Sequence, residues 1–365
     1  MNLETKNLLT PNEVAFLLIG IMMDVSVTQL PSLAIIHARQ DGWISVIIGA
    51  VYPLYVALIA IYVSNKYPKD NILALTKKLF GKPFGTFLNI LFMLSFFSYI
   101  PPLISLMGSI VRVDILQSIT KLQFSIIFLL VSVYAASKGI KVLGRISTIC
   151  FIMIIAIIVP TLLIIREGSI LNIQPVFQAS LLNILKDSES TIYDYSLMEF
   201  IFLIYPFIND SKKIKSSVLK SVGITCLLYV WITFISIYYL GINIIPRTLY
   251  TFITVTEGVK LELLTNFRYI FVSFWIFIAA KSVSILSYSY MFILDDIKKI
   301  KSKNYVYFFI STILIIITLL FYKNYTDRVI IISYTSRISV LYNLFYITLV
   351  SIAIKLESRR KNESV

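Results

Sequence analysis

The chain has 365 residues, of which 58% are hydrophobic and 14% charged, and its mean hydropathy is +0.85. Soluble domains contain about 45 to 50% apolar residues, so this composition excludes a soluble globular protein and indicates an integral membrane protein. The net charge of +14 would suit nucleic acid, but basic residues in a chain with many apolar runs usually follow the positive-inside rule, and we expect no nucleic-acid partner.

Apolar runs separated by charged loops predict ten membrane-spanning helices and an all-α membrane protein. We expect residues 1–365 to form a single integral membrane, permease-like domain surrounded by the lipid bilayer. The approximate bounds of the ten spans are 14–36, 43–64, 84–111, 121–137, 146–165, 190–208, 217–241, 267–292, 304–322 and 332–354.

The distribution of basic residues predicts the orientation of these spans. If both termini are cytoplasmic, the inner segments hold 21 of the 33 Lys and Arg residues, and the outer loops and span edges hold 11. The remaining one is Lys281, inside span eight. Cytoplasmic loops carry the excess of Lys and Arg, so this bias favours a multi-pass protein with both termini inside.

The first span contains an interruption within the sequence GIMMDVSVTQLP, residues 20–31. Asp24, Ser26 and Thr28 lie there between Gly20 and Pro31, where an uninterrupted membrane helix would be apolar. Irregular backbone survives in a membrane only where it is buried in protein or lines a cavity, and many transporters build their substrate site from such broken helices. The pattern therefore predicts an unwound segment in span one.

Span six has a second interruption, with polar residues before Glu199 and with Pro206 after it. Lys281 lies within span eight. An ionisable side chain at bilayer depth costs about 3 kcal/mol, so Asp24, Glu199 and Lys281 are each candidate functional residues. The alternative is that these charges only pair with one another and stabilise packing. The candidate ligand-binding residues are Asp24, Val25, Ser26, Thr28, Tyr195, Ser196, Leu197, Glu199, Lys281 and Ser282.

Enzymatic functions find little support in the sequence. The single histidine, His37, has no second ligand at metal-binding spacing, and Cys150 and Cys226 lie apart in apolar spans. No GxSxG or GxxxxGK motif occurs, so we expect no enzyme activity, no cofactor and no metal site. Tyrosine and phenylalanine are abundant, and those at span ends indicate belts at the membrane interface rather than a ligand cage.

Several short motifs, in their order along the chain, resemble the germination permeases of endospore-forming bacteria, the B subunits of nutrient germinant receptors. This family belongs to the amino acid, polyamine and organocation superfamily. The matching motifs are Leu30-Pro31, DGWI at residues 41–44, Tyr67-Pro68, FGKPFG at 80–85, GIKVLGR at 139–145, the Gln174-Pro175-Val176 segment, Met198-Glu199 and Trp275.

The resemblance implies a LeuT-like fold, a five-plus-five inverted repeat with broken helices one and six. It implies a small nutrient germinant bound between these helices, and partnership with A and C subunits in the spore inner membrane. Three positions depart from the family pattern. Asp24-Val25-Ser26 replaces a Gly-x-Gly, Leu197 replaces a small residue, and Lys281 replaces a neutral one, so we expect a ligand different from that of an alanine-sensing relative.

These observations favour a germinant-sensing subunit that binds a nutrient and signals to its partners. The alternative is a secondary transporter of amino acids or amines, because one fold can host both functions. Asp24 and Lys281 carry opposite charges on spans that would border the same pocket. Pairing would offset much of the cost of burying two separate charges, so we expect them to lie in contact.

Overall fold

The computed structural model describes residues 8–260 and 266–363, and this part of the chain is almost entirely helical. The α-helices in chain order are α1 (Pro11–Met22), α2 (Leu30–Ala34), α3 (Gly42–Gly49), α4 (Val51–Lys66), α5 (Ile72–Phe80), α6 (Lys82–Ser98), α7 (Ile100–Asp114), α8 (Lys121–Ser137), α9 (Ile140–Ile158), α10 (Leu181–Asp194), α11 (Ile201–Ile204), α12 (Ile214–Leu240), α13 (Thr251–Glu257), α14 (Phe267–Ile297), α15 (Lys303–Phe321) and α16 (Tyr325–Glu363).

The helices fall on the ten expected spans. In the described part of the chain, seven segments are long and apolar enough to cross a membrane, namely Arg39–Lys66, Lys82–Asp114, Ile140–Arg166, Ser211–Leu240, Phe267–Ile297, Lys303–Phe321 and Tyr325–Arg359. Three shorter apolar helical segments, Pro11–Met22, Lys121–Ser137 and Met198–Phe207, coincide with expected spans one, four and six. The all-α prediction is confirmed, and α5 and α13 are additional helices between spans.

Local sequence signals set several helix starts. Thr10 and Glu13 form a capping box at the start of α1, with the Glu13 carboxylate 2.7 Å from the Thr10 amide, and Pro11 occupies the first turn. Thr120 caps α8 in the same way with Gln123. Gly139 precedes α9 at φ 88°, a backbone conformation that glycine adopts without strain.

Spans one and eight lie at the centre of the bundle. Helix α1 packs against α9 and α12, and α14 packs against α6, α8 and α9. The periphery is different, since α15 buries only Tyr307, Leu314 and Thr318. Lys281 is therefore enclosed by protein on all sides, which is how an ionisable side chain is tolerated within a membrane bundle.

Candidate functional site

Span one is broken at the predicted position. Helix α1 ends at Met22, and after Asp24 the chain makes a 3-10 turn over Val25–Thr28 before α2 begins. The Asp24 carboxylate accepts a hydrogen bond from the Ser26 amide at 2.7 Å and so caps this turn. A carboxylate is favoured at such an amide end, because the first backbone N–H groups of a helix have no internal partner.

Span six is broken in the same manner. Helix α10 ends at Asp194, and the chain resumes helical structure at Met198. Between them Leu197 adopts φ 75°, the left-handed conformation, although it is not glycine and its side chain is buried. That conformation costs a non-glycine residue about 1–2 kcal/mol. The surrounding packing holds Leu197 there and fixes the direction in which the second half of span six leaves the break.

One hydroxyl group joins the two breaks. Tyr229 on α12 has its hydroxyl oxygen 2.6 Å from the Met22 carbonyl, at the end of α1, and 3.0 Å from the Asp194 carbonyl, at the end of α10. Its ring packs on Tyr195, with the ring centroids 4.9 Å apart. The last carbonyls of a helix lack internal donors, so Tyr229 supplies a donor to both open ends.

Lys281 and Ser282 of α14 bind the same carbonyl of span one. The Lys281 ammonium donates to the Gly20 carbonyl, and the Ser282 hydroxyl donates to it at 3.1 Å. The C-terminal end of a helix carries partial negative charge, so an ammonium is favoured near the last turn of α1. A methyl group at Gly20 would lie 2.6 Å from the Lys281 nitrogen, so any larger residue there would require the Lys281 side chain to move.

The expected contact between Asp24 and Lys281 is not made. Both residues lie in the described part of the chain, and no ion pair joins them. The physical reason is that each charge finds a backbone partner: Asp24 accepts from the Ser26 amide, and Lys281 donates to the Gly20 carbonyl. Backbone groups exposed by the break therefore supply the polar partners that we expected the two charges to supply to each other.

Glu199 lies in the first turn after the span-six break and is fully buried. Its carboxylate accepts from the Tyr52 hydroxyl of α4, and Asn343 of α16 lies beside it. Tyr52 also borders a groove of about 770 Å³ between α4, α10 and α16. Glu199 thus links the broken span to spans two and ten.

A second buried carboxyl group, Asp194, lies near Asp24. The Ser26 hydroxyl lies beside the Asp194 carboxyl group, and the two aspartates are close enough for their charges to interact. Ser196 donates to the Tyr193 carbonyl at 2.5 Å and lies beside the Tyr99 hydroxyl. The two breaks therefore bring acidic and hydroxyl side chains from different spans into one buried region.

The remaining predicted residues face the backbone or the core. The Thr28 hydroxyl donates to the Val25 carbonyl at 2.9 Å, and the Tyr195 hydroxyl to the Val46 carbonyl at 3.2 Å. Val25 and Leu197 are buried. A role in ligand binding stays a prediction for these four residues and for the other six predicted site residues.

Contacts at each end enclose the breaks. On one side α13 packs on α2, where Gln29 donates to the Leu249 carbonyl at 3.2 Å and Ser32 contacts Thr251. On the other side the Leu9 amide donates to the Phe207 carbonyl at 2.8 Å. Nearly all the predicted side chains are buried as a result, which gives the breaks a closed arrangement in this structure.

Sequence reasoning missed the tyrosines of this region. Tyr52, Tyr99 and Tyr229 lie within their spans, and the expectation of interface belts concerned only aromatic residues at span ends. Tyr52 and Tyr229 are buried, and Tyr99 is half-buried. Their distance from the span ends was a usable signal, because belt residues lie at the membrane interface and these do not. In residues 8–260 and 266–363 no group of three His, Cys, Asp or Glu side chains is placed to hold a metal ion.

Within the described residues, seven long apolar spans and three shorter apolar helical segments form one bundle in which spans one and six are broken, and this architecture is that of a permease-type membrane protein. Solved transporters share this architecture. A Na⁺-coupled sialic acid symporter aligns with TM-score 0.61 and 12% identity, covering 94% of this chain and 76% of that one. Mhp1, a nucleobase-cation-symport-1 family transporter, aligns with TM-score 0.52 and 12% identity, covering 96% and 78%. The predicted LeuT-like fold is confirmed.

The chain belongs to the spore germination protein family of permeases, whose family model matches residues 8–327. Spore germination protein GerQB of Bacillus cereus is 23% identical over 353 residues, which are 93% of each chain. Spore germination protein YndE of Bacillus subtilis (strain 168) is 22% identical over 223 residues, 60% of this chain and 61% of that protein. The family predicted from the motifs is confirmed, and it is a family of membrane proteins rather than enzymes.

Proposed function

We propose that this chain is the germinant-sensing membrane subunit of a spore nutrient receptor. It binds a small nutrient, such as an amino acid, at the paired breaks of spans one and six and signals to partner subunits. The observation that carries the proposal is the Tyr229 hydroxyl, which holds the ends of α1 and α10 together. A ligand that moves the chain at either break would therefore change the position of the α1 end relative to the α10 end.

The charges at the breaks favour a nutrient with an ammonium group. Three buried carboxyl groups, Asp24, Asp194 and Glu199, lie there with one buried lysine, Lys281, whose ammonium is already engaged by the Gly20 carbonyl. An ammonium entering between Asp24 and Asp194 would separate two like charges. A charge-assisted hydrogen bond of this kind contributes about 1.5–3 kcal/mol, enough to distinguish an amine from a neutral nutrient.

Membership of the germination family supports the rest of the proposal. The protein resides in the spore inner membrane with both termini cytoplasmic, and it acts beside the A and C subunits of the receptor. By linkage, a nutrient shifts the receptor only through different affinities for its two states. The closed arrangement of the breaks would be one of these states.

Asp24→Asn tests the ligand site. Asparagine retains an oxygen that can cap the Val25–Thr28 turn but removes the charge, so folding and ligand recognition are separated. We expect spores carrying this variant to keep normal protein levels and to need about tenfold more of an amine-bearing nutrient for half-maximal germination. Asp210→Asn, at a partly exposed loop carboxylate paired with Lys213, is the matched control. An unchanged dose response for Asp24→Asn would reject the site.

The transporter alternative is tested separately. Vesicles containing this protein alone are given labelled nutrient, and both binding and uptake are measured. Binding without accumulation supports sensing, whereas saturable accumulation in the vesicle lumen identifies a secondary transporter.

A further inference from the structure

A buried arginine without a carboxylate partner lies away from the breaks, near the start of α16. Arg328 is 1% exposed. One of its terminal nitrogens, Nη1, lies 3.1 Å from the Ser109 hydroxyl and 3.4 Å from the Ser105 carbonyl. Its other two nitrogens, Nε and Nη2, are buried and have no hydrogen-bond partner in the described chain. Arginine remains charged in proteins, so this is a buried cation that is only partly satisfied.

The two unpartnered nitrogens share one edge of the guanidinium plane. Their N–H bonds point the same way, and this edge matches the two oxygens of a carboxylate in a bidentate pair. The third nitrogen is already used by span three through Ser105 and Ser109. A group that complements this edge of Arg328 must therefore present two acceptor atoms side by side in the plane of the guanidinium.

The surroundings of Arg328 are polar, and the carboxylates of the region, Asp114 and Asp327, make no ion pair with it. The Tyr250 hydroxyl lies beside both Arg328 and Ser109, and the Tyr325 ring centroid is 5.6 Å from the guanidinium carbon. Lys121 is near enough to be repelled by Arg328. Within residues 8–260 and 266–363, Arg328 has no ion pair, whereas Arg268 binds two carboxylates, those of Asp114 and Glu257. The charge missing at Arg328 is negative.

The segment that flanks Arg328 also covers the breaks. Tyr250 immediately precedes α13, and its neighbours Leu249 and Thr251 contact Gln29 and Ser32 of span one. Through Tyr250 this segment lies next to Arg328, whose free edge is formed by Nε and Nη2. Leaving a buried guanidinium unpaired is costly, so an anion that reaches this edge would stabilise the protein.

We propose that Arg328, with Ser109 and Tyr250, forms a binding site for the carboxylate group of a small molecule, beneath the segment that leads into α13. The site goes beyond the function proposed above, because it is built on spans three and ten and does not depend on nutrient binding at the breaks. Its ligand class is a monocarboxylate, and acetate is sufficient as a probe.

The test measures thermal unfolding of the purified full-length protein in lipid nanodiscs, followed by tryptophan fluorescence. Sodium methanesulfonate is replaced stepwise by sodium acetate, chloride or phosphate at constant sodium concentration and ionic strength. We expect the unfolding midpoint to rise saturably with acetate, as for any ligand that binds only the folded state, and to respond less to chloride and phosphate. A wild-type protein that shows no acetate-specific rise overturns the proposal, as does one that responds equally to chloride or phosphate.

Variants assign the response to the residue. Arg328→Met should abolish the acetate response, and its midpoint in methanesulfonate should be no lower than that of the wild type, because an unpaired buried charge is removed. Arg328→Lys keeps the charge but loses the two-nitrogen edge, so acetate should bind about tenfold or more weakly. Arg337→Met, at an exposed arginine on the same helix, should respond as the wild type does. An acetate response that persists in Arg328→Lys at full strength argues against the bidentate site, even if Arg328→Met fails to fold.

Discussion

Tyr229→Phe is the sharpest test of how the two breaks are held, because it deletes one hydroxyl group and keeps the ring that packs on Tyr195. The Met22 carbonyl would retain the Asp24 amide, which lies 3.0 Å away. The Asp194 carbonyl has no second donor in the described chain. The substitution thus weakens one helix end and leaves the other buried and unsatisfied.

The expected loss of stability follows from this count. A side-chain hydrogen bond in a membrane protein contributes about 0.6 kcal/mol on average, and a buried acceptor without a partner costs about 1–3 kcal/mol. We expect Tyr229→Phe to lower the free energy of unfolding by about 2 kcal/mol, measured by equilibrium unfolding in mixed micelles with increasing SDS.

Tyr305→Phe is the matched control, since Tyr305 is 79% exposed at the start of α15. Its effect should stay within about 0.5 kcal/mol. If Tyr229→Phe is as stable as this control, the hydroxyl does not hold the helix ends and the reasoning fails. The germination dose response of the same variant should shift as well, because the closed arrangement loses a stabilising contact.

Three further predictions concern the intramembrane charges and the topology. Since Asp24 and Lys281 bind backbone groups rather than each other, the double variant Asp24→Asn/Lys281→Met should be no more stable than the worse single variant when unfolded in SDS. A double variant that is more stable than both single variants would instead support a direct ion pair between Asp24 and Lys281. Glu199→Gln should lower apparent germinant affinity or protein level, assayed by dose response and immunoblot, and wild-type behaviour in both would exclude a role. With both termini inside, Lys301→Cys in a cysteine-free background should not react with an impermeant thiol reagent added outside. Labelling from outside would show that the orientation is the opposite one.

The sequence predicted the spans and the first break because these depend on local composition. Twenty apolar residues indicate a spanning helix, and a polar cluster between Gly20 and Pro31 indicates that the helix stops there. The second break was predicted from its polar residues, but the left-handed turn at Leu197 was not. Only tertiary packing holds a leucine in that conformation, and no local pattern records it.

The partners of the charges could not be predicted for a different reason. A buried ammonium is satisfied by any well-placed acceptor, and the Gly20 carbonyl becomes available only once α1 has ended in the correct position. Tyr229 presents the same difficulty, because one tyrosine among 23 acquires its role only when two distant helix ends meet beside it. Composition identifies polar groups, whereas their pairing is a property of the assembled bundle.

The shared hydroxyl of Tyr229 also limits how this protein can move. A hydroxyl carries a single proton, and here that proton is divided between the ends of α1 and α10. If either helix end moved away, the hydroxyl would donate only to the carbonyl of the other end, and that hydrogen bond would become stronger. The two helix ends therefore compete for one proton. Between the arrangement with both ends bound to the Tyr229 hydroxyl and the arrangement with neither end bound, the bundle can adopt an asymmetric one in which a single end is bound.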